Sequence, residues 1–357
     1  MDRETIDVYE THSDAYESQR RPTFLGAAQR FGEQRPPGLA VDLGSGPGWY
    51  TAALGPPVLA LDAAAAMLDR TRAVAPAALL VQADLAALPL RRASVAAAWA
   101  RNTYVHLRAA QLPMALNDLH HAVAPGGPIE LTLLGGEVEG RALFPTDDLP
   151  GRWFSTWTQT RLRDVVQGAG FSLQELEERE NPTGEPGFTV RATRAVGLPD
   201  FVDADLHLLV CGLNPSTPSA RAGVPYVSRG NRFWPAALAA GLVSRDRDPR
   251  HALSEHSVGF TDLVKRPTAQ ASALTRDEYR AGVDRLDRLC AWLEPQAVAV
   301  VGLAGWRAAL DRTARPGWQD RGLGGRPVYV LPSTSGLNAA TPPAALAEHL
   351  RNALGGT

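Results

Sequence analysis

The chain has 357 residues, 45% of them hydrophobic, which is enough for substantial cores and favours two domains over one. Its two cysteines, Cys211 and Cys290, lie far apart in apolar patterns, so a disulfide or metal framework is not expected, no stretch reads as a membrane span or a signal peptide, and a reducing cytoplasm is the expected compartment. Net charge is −2, but residues 1–200 hold 24 acids and 18 Lys/Arg while residues 201–357 hold 14 and 18: either chance asymmetry or a mildly basic, DNA-binding half joined to an acidic one.

Residues 1–36 are polar with scattered aromatics (Tyr9, Tyr16, Phe24, Phe31) and read as helices flanking the first strand. Leu39 to Trp49 (LAVDLGSGPGW) is an apolar strand, an acid and a glycine-rich turn opening a helix. Glycines let a ligand approach the backbone, and a helix start favours polar or anionic groups. Val58 to Asp62 is a second strand ending in an acid, where a carboxylate can accept both hydroxyls of a ribose. Leu79 to Asp84 is a third strand, Val95 to Trp99 a fourth, Leu107 to Ala124 a helix closed by Pro125-Gly126-Gly127, and Ile129 to Leu134 a fifth strand. Alternation of strand and helix predicts a parallel sheet. A hairpin turn at Gly184 to Gly187 and a strand to Ala195 finish this half, and Ala195 to Ala204 is a short joint.

Residues 38–195 resemble the class I S-adenosylmethionine-dependent methyltransferases, through VDLGSGPGW, Asp62, the QAD of Gln82 to Asp84, and the Ala-Pro-Gly-Gly before the fifth strand. The resemblance implies that Asp42 and the turn Gly44, Ser45, Gly46, Gly48 hold the methionine end of S-adenosylmethionine. Asp62 would hold the ribose and Asp84 would sit by the adenine amine. A nicotinamide-binding reading is the alternative, but Pro47-Gly48 breaks the G-x-G-x-x-G spacing it prefers. Methylation of cytosine carbon 5 needs a cysteine, and residues 1–200 have none; the [Asn/Asp]-Pro-Pro-aromatic turn of base-amino methylation is replaced by Ala100 to Tyr104. The methyl acceptor is therefore open. His106, His120 and His121 read as helix-face residues rather than bases.

In the second half, the run Leu206 to Val210 feeds into GLNPSTPSARAGVPYVSRGNRFW, Gly212 to Trp234. This reads as a buried parallel strand ending in a loop, the place where open α/β sheets bind ligands. Asn214 carries one acceptor and two donor hydrogens and does not ionise, so it can orient a water without acting as a base. That suits loss of a base from a sugar through an oxocarbenium-like state, with Tyr226 offering a flat face to a base taken out of the helix. Arg232 to Leu242 reads as a helix. Thr275 to Glu278 reads as a capping box opening a helix that buries Tyr279, Val283, Leu286, Cys290 and Leu293. Ala297 to Gly302 is a strand, Leu303 to Arg312 a helix, and Val328 to Leu331 a strand running into PSTSGLN, where Leu337 in a Ser/Gly loop can wedge between base pairs.

Residues 197–353 resemble the mismatch-specific uracil/thymine-DNA glycosylase family, through GLNPS, Tyr226, Asn231 to Trp234, Phe260 to Ala271 (FTDLVKRPTAQA) and LPSTSGLN. The resemblance implies that Asn214 positions the attacking water. Tyr226 stacks on the base, the first loop (Gly212, Leu213, Ser219) reads it, and Ser335, Gly336, Leu337 and Asn338 fill the gap in the duplex. Two departures, Ser216 for a glycine and Ser333-Thr334 for Asn-Pro, leave base preference open. Lys265 is the only lysine, so with the N-terminal amine it is the one candidate for the Schiff base of a strand-cutting glycosylase, and a simple hydrolytic glycosylase is favoured.

The expectation is an α/β chain of two domains, each a mainly parallel sheet flanked by helices. Residues 1–196 are a Rossmann-like methyltransferase using S-adenosylmethionine, and residues 197–357 a uracil-DNA-glycosylase-like α/β/α unit needing neither cofactor nor metal. It would remove uracil, with thymine or etheno-cytosine as lesser substrates, from mismatched double-stranded DNA in the cytoplasm or on the nucleoid. The alternative is a methyltransferase acting on a small molecule or RNA beside a DNA-binding module that does not cut.

Overall fold

The structure, a computed structural model, describes every residue except 142, 145, 146, 181–183, 271, 272, 337, 339, 356 and 357. The chain forms two compact units: Met1–Gln167 with Phe171–Ala195, and Gly168–Gly170 with Val196–Thr357. Both are α/β.

The first unit opens with three helices, α1 (Arg3–Thr11), α2 (Ser13–Gln19) and α3 (Leu25–Gln34). Then come β1 (Ala40–Leu43), α4 (Trp49–Leu54), β2 (Val58–Asp62), α5 (Ala65–Val74), β3 (Leu79–Gln82), β4 (Ala97–Arg101), α6 (Leu112–Ala122) and β5 (Pro128–Gly135). The remainder is β6 (Glu139–Arg141), β7 (Trp153–Trp157), α7 (Gln159–Gly168), β8 (Phe171–Glu180) and β9 (Pro186–Arg194). The main sheet path is β3-β2-β1-β4-β5-β7-β6, and β9 runs antiparallel to β5 and β8. From β3 to β5 every pairing is parallel.

β1 and β2 are buried along their whole length, as continuous apolar runs in a covered parallel sheet are. β3 reads equally apolar, but it is the last strand on its side, and Leu79 is 59% exposed. The expected helix from Leu107 begins only at Leu112. Two short 3-10 turns, Tyr104–His106 and Ala109–Gln111, come first, and Pro113 takes the first helical turn, where its missing N–H is harmless. The fourth strand likewise starts two residues later and ends at Arg101.

The second unit runs β10 (Leu208–Gly212), α8 (Thr217–Ala222), α9 (Phe233–Ala240), α10 (Pro249–His256), β11 (Val258–Asp262) and α11 (Arg276–Leu293). It closes with β12 (Ala297–Val301), α12 (Leu303–Ala309), β13 (Gly317–Trp318), β14 (Val328–Leu331) and α13 (Pro343–Leu354). Sheet order is β11-β10-β12-β14-β13, parallel except for the short edge strand β13. The carboxyl ends of β10, β11 and β14 therefore share one rim.

The Thr275 hydroxyl caps α11 by accepting from the Glu278 N–H, and the Glu278 carboxylate accepts from the Thr275 N–H in return. The apolar face of α11 is buried: Tyr279, Val283, Leu286, Cys290 and Leu293. A Cβ on Gly282 would stand 2.2 Å from the Leu263 carbonyl, so only glycine lets α11 lie this close to the segment after β11. Phe233, Trp234 and Phe260 fill the other side of the core, each side chain worth about 1.5–3 kcal/mol of burial. The segment before β10 is part of this unit too. Phe201 bridges Phe260, and Asp200 is buried between Lys265 Nζ (2.6 Å) and Arg285 (2.8 Å).

Candidate functional sites

In the second unit, a cavity of about 360 Å³ opens at the carboxyl rim of the sheet. Its lining includes Asn214, Tyr226 and Asn231 from the segment between β10 and α9, Asp262 at the end of β11, and Ser333 to Gly336 after β14. Asn214 is fixed through its amide nitrogen, which donates to Thr268 Oγ1 (2.8 Å) and the Arg266 carbonyl (3.1 Å) and leans toward the Pro215 carbonyl (3.3 Å). Among the described residues nothing donates to its carbonyl oxygen. The amide thus keeps its acceptor for the cavity, and an acceptor is what orients a water by one of its hydrogens.

Tyr226 sits in the left-handed region (φ 56°) and stacks one face on Phe233, ring centres 4.3 Å apart and planes 24° apart. Its hydroxyl is buried without a partner, and burial drives its pKa well above the usual value, with the charge of Asp262 adding to the effect. The first loop is rigid. Ser216 caps α8 by accepting from Ser219 N–H, and its hydroxyl also meets those of Ser219 (3.0 Å) and Ser228 (2.9 Å). Ser219 is buried in this knot, and Leu213 packs against Gly305 while its carbonyl accepts from Val264 N–H.

The late loop is pinned from below by Arg232, whose guanidinium donates to the carbonyls of Thr341, Ser335 and Asn338. Asn338 folds back, its amide donating to the Ser333 carbonyl (2.8 Å). Gly336 passes so close to Gly230 that a Cβ would lie 2.8 Å from the Gly230 carbonyl oxygen. Leu337 lies outside the described residues.

In the first unit, the turn after β1 lies across the end of β2. Gly44 and Ser45 donate their N–H groups to the Leu61 carbonyl, and Gly46 donates to the Asp62 carboxylate at 2.9 Å. The other Asp62 oxygen accepts from Ala64 N–H at 3.0 Å. Ala63 N–H also faces this carboxylate, which has about four acceptor sites and so keeps capacity for a ligand. Gly44, Gly46 and Gly48 all have positive φ, and a Cβ on Gly44 would collide with Thr103 at 2.1 Å. A Cβ on Gly46 would meet nothing nearer than Tyr16 at 4.0 Å, so the turn is a cradle with open space over it. These residues fit a ligand bearing a ribose and a group lying in the open space over the bare glycine backbone. The Ser45 hydroxyl points instead at Thr71 (3.3 Å).

Asp42 is buried beneath the turn and accepts from the Thr51 hydroxyl at 2.6 Å; burial lifts its pKa to about 7. Asp84 is half-exposed, accepting from Ala86 N–H (2.8 Å) and paired with the amine of Met1.

Residues 199–354 match the family model of the uracil DNA glycosylase superfamily, and residues 40–127 match the model of a methyltransferase domain. The chain carries a uracil DNA glycosylase superfamily domain and a methyltransferase domain.

Solved structures similar to part of the chain include methyltransferases. A 1,6-didemethyltoxoflavin-N1-methyltransferase from Burkholderia thailandensis, solved with S-adenosylhomocysteine, is 17% identical over 53% of this chain and 86% of its own, with a TM-score of 0.44. An S-adenosylmethionine-dependent methyltransferase from Mesorhizobium loti is 21% identical over 47% and 96%, with a TM-score of 0.39. Another from Methanosarcina mazei is 15% identical over 44% and 92%, with a TM-score of 0.40.

In the glycosylase-superfamily domain, one cavity gathers Gly212's neighbours Leu213 and Asn214 with Ser219, Tyr226, Ser335 and Gly336, while Asn338 braces the loop behind it. Sequence reasoning passed over Asp262 and Thr268. The signal for Asp262 was a strand, VGFT, ending in an acid beside β10; nothing local marks Thr268 as the anchor of Asn214. In the methyltransferase domain it passed over Tyr16, which stacks over Trp49 at the start of α4 (6.3 Å, 18°), and over Thr103, whose hydroxyl donates to the Leu43 carbonyl. Among the described residues no group of His, Cys, Asp and Glu could hold a metal, and no helix is long and apolar enough to cross a membrane.

Proposed function

We propose that the second unit is a hydrolytic DNA glycosylase that removes uracil, and to a lesser degree thymine or etheno-cytosine, from mismatched double-stranded DNA. One observation carries the reading: the Asn214 amide is locked by its nitrogen, so its oxygen is left toward a cavity of about 360 Å³ that also holds a ring face and the late loop. In this mechanism the extruded base lies on Tyr226. The bond from the sugar C1′ to the base nitrogen breaks, and its electron pair leaves with the base. A water held by Asn214 bonds to C1′ and releases a proton to solvent. Asn214 need not take that proton, because the oxocarbenium-like centre is electrophile enough. Ser335 to Asn338 would occupy the gap in the duplex.

The only lysine supports simple hydrolysis: Lys265 is held by buried Asp200 at 2.6 Å and is absent from the cavity lining among the described residues. Incubating the protein with a duplex holding one uracil opposite guanine, then breaking abasic sites with alkali, tests the reading. Strand scission lost in Asn214→Ala supports it; an uncut duplex refutes it and leaves a DNA-binding module beside a methyltransferase.

The first unit, in the same reading, is a methyltransferase using S-adenosylmethionine, which when bound supplies an electrophilic methyl group on a sulfonium. The Gly44 to Gly48 backbone, braced by Asp42 through Thr51, would hold its methionine end. Asp62 would take the ribose hydroxyls and Asp84 would lie by the adenine amine. Binding of the cofactor by calorimetry, present in the parent and weakened in Asp62→Ala, tests this half.

A further inference from the structure

Among the described residues, Asp262 is the one acid that lines the glycosylase cavity. Strand register sets it beside Gly212, the last residue of β10, and a Cβ on that glycine would lie 2.4 Å from its Oδ1. The residue is 6% exposed, and among the described residues no donor bonds its carboxylate. Charged and titratable groups surround it, but among the described residues none bonds its carboxylate. Lys265, just after β11, bonds Asp200; Arg285, on α11, bonds Asp200 and the Asp262 backbone carbonyl (3.0 Å); Arg229 lines the same cavity. Cys211 on β10 donates its thiol to the Gly212 carbonyl, and Tyr226, whose hydroxyl crowds the same Gly212 position, keeps its proton. Burial raises the Asp262 pKa to about 6; Lys265 pulls it down, Asp200 pushes it up and Arg285 pulls it down again.

A carboxylate that no donor bonds, set in the wall of a base pocket, has a direct chemical consequence. A pyrimidine such as uracil shows carbonyl oxygens on its edge and departs with the electron pair of the broken bond. An ionised acid repels both; a protonated one donates to them. We propose that Asp262 is the specificity-determining residue of this cavity, and that it admits carbonyl-edged bases in its protonated form by donating its hydroxyl hydrogen to a base carbonyl. This rests on the glycosylase reading and deepens it. The proton stays on Asp262 through the step: the C1′–N bond breaks, charge on the leaving base spreads to the bonded oxygen, and water completes the sugar. The base picks up its own proton from solvent afterwards.

The experiment is single-turnover excision from a uracil–guanine duplex between pH 5 and 8.5, with parent, Asp262→Asn and Asn214→Ala. The parent rate is expected to be flat at acid pH and to fall roughly tenfold per pH unit above the Asp262 pKa. Asp262→Asn carries a permanent N–H donor of the same shape, so its rate should be level across that range and exceed the parent at pH 8. A parent slope retained in Asp262→Asn, or a variant slower than the parent at every pH, overturns the proposal while the glycosylase reading stands on the loss in Asn214→Ala. If the parent cuts at no pH, the glycosylase reading itself falls. Free uracil binding, measured on the parent alone by calorimetry at pH 5.5 and 8, reads the same gate without catalysis or a variant. Tighter binding at pH 5.5 supports the proposal, and equal binding refutes it.

Discussion

The two units place a loop at the same point of a parallel sheet and fill it with opposite chemistry. In the first, the turn after β1 is bounded by the carboxylates of Asp42 and Asp62, and the Asp62 oxygens are tied by backbone N–H groups. In the second, the loop after β10 offers a neutral amide, and the one acid lining the cavity among the described residues is one that burial tends to neutralise. In the proposed function, a cofactor with a sulfonium and a ribose would be met by acceptors. In the same proposal, a polyanion whose base leaves as an anion would be met by a site whose one lining acid, among the described residues, is biased toward its neutral form. Strand ends position a ligand; the charge set there decides which one.

Breaking each site separately is the sharpest use of this contrast. Asn214→Ala should lower excision by at least about a hundredfold, as loss of a group aimed at the reacting centre does, while duplex binding by fluorescence anisotropy stays within a few-fold. Asp62→Ala should weaken cofactor binding about ten- to a hundredfold, since hydrogen bonds to a charged group are worth about 1.5–3 kcal/mol, with excision untouched.

Next in size is the Asp200 cluster. Arg285→Met removes one partner of a buried acid, and about 3–5 kcal/mol is the usual cost, read as a lower melting temperature of the second unit. Arg285 and Lys265 outweigh the burial that would raise the Asp200 pKa and hold it below the ordinary value. Its stability is therefore present at neutral pH and is lost as pH falls through that depressed value. Asp42 runs the other way. Burial raises it to about 7, so its favourable contribution is complete below the ordinary carboxylate range and disappears as pH rises through about 7. Asp42→Asn, which keeps an acceptor for Thr51, should raise the melting temperature of the first unit at pH 8 and leave it unchanged at pH 4. The smallest effect is expected from Ser216→Ala, about 1 kcal/mol for a lost helix cap, seen as a shift of a few degrees or less in the same melts.

Much of this arrangement was legible in the chain. The α/β alternation, the glycine turn after β1, the capping box at Thr275 and the loops after β10 and β14 all carry local patterns, because each needs particular residues at fixed spacing. What was hidden depends on register and packing. β3 looks as apolar as β2, and only its place at the side of the sheet exposes it. The late start of α6 follows from two 3-10 turns that no periodicity announces. Asp262 reads as an ordinary strand-end acid until pairing with Gly212 sets it in the cavity wall. Thr268, 54 residues from Asn214, shows its role only through a hydrogen bond.

Cys211 and Cys290 are both buried in the second unit, and burial pushes both thiols up, Cys290 to about 12. The first unit contains no cysteine. A disulfide reagent added to the intact protein should therefore react at the rate at which the second unit opens, with no thiol of the first contributing to the signal. The molecule comes with its own clock for one half, and exchange rates with and without damaged duplex would time how firmly the substrate holds that half shut.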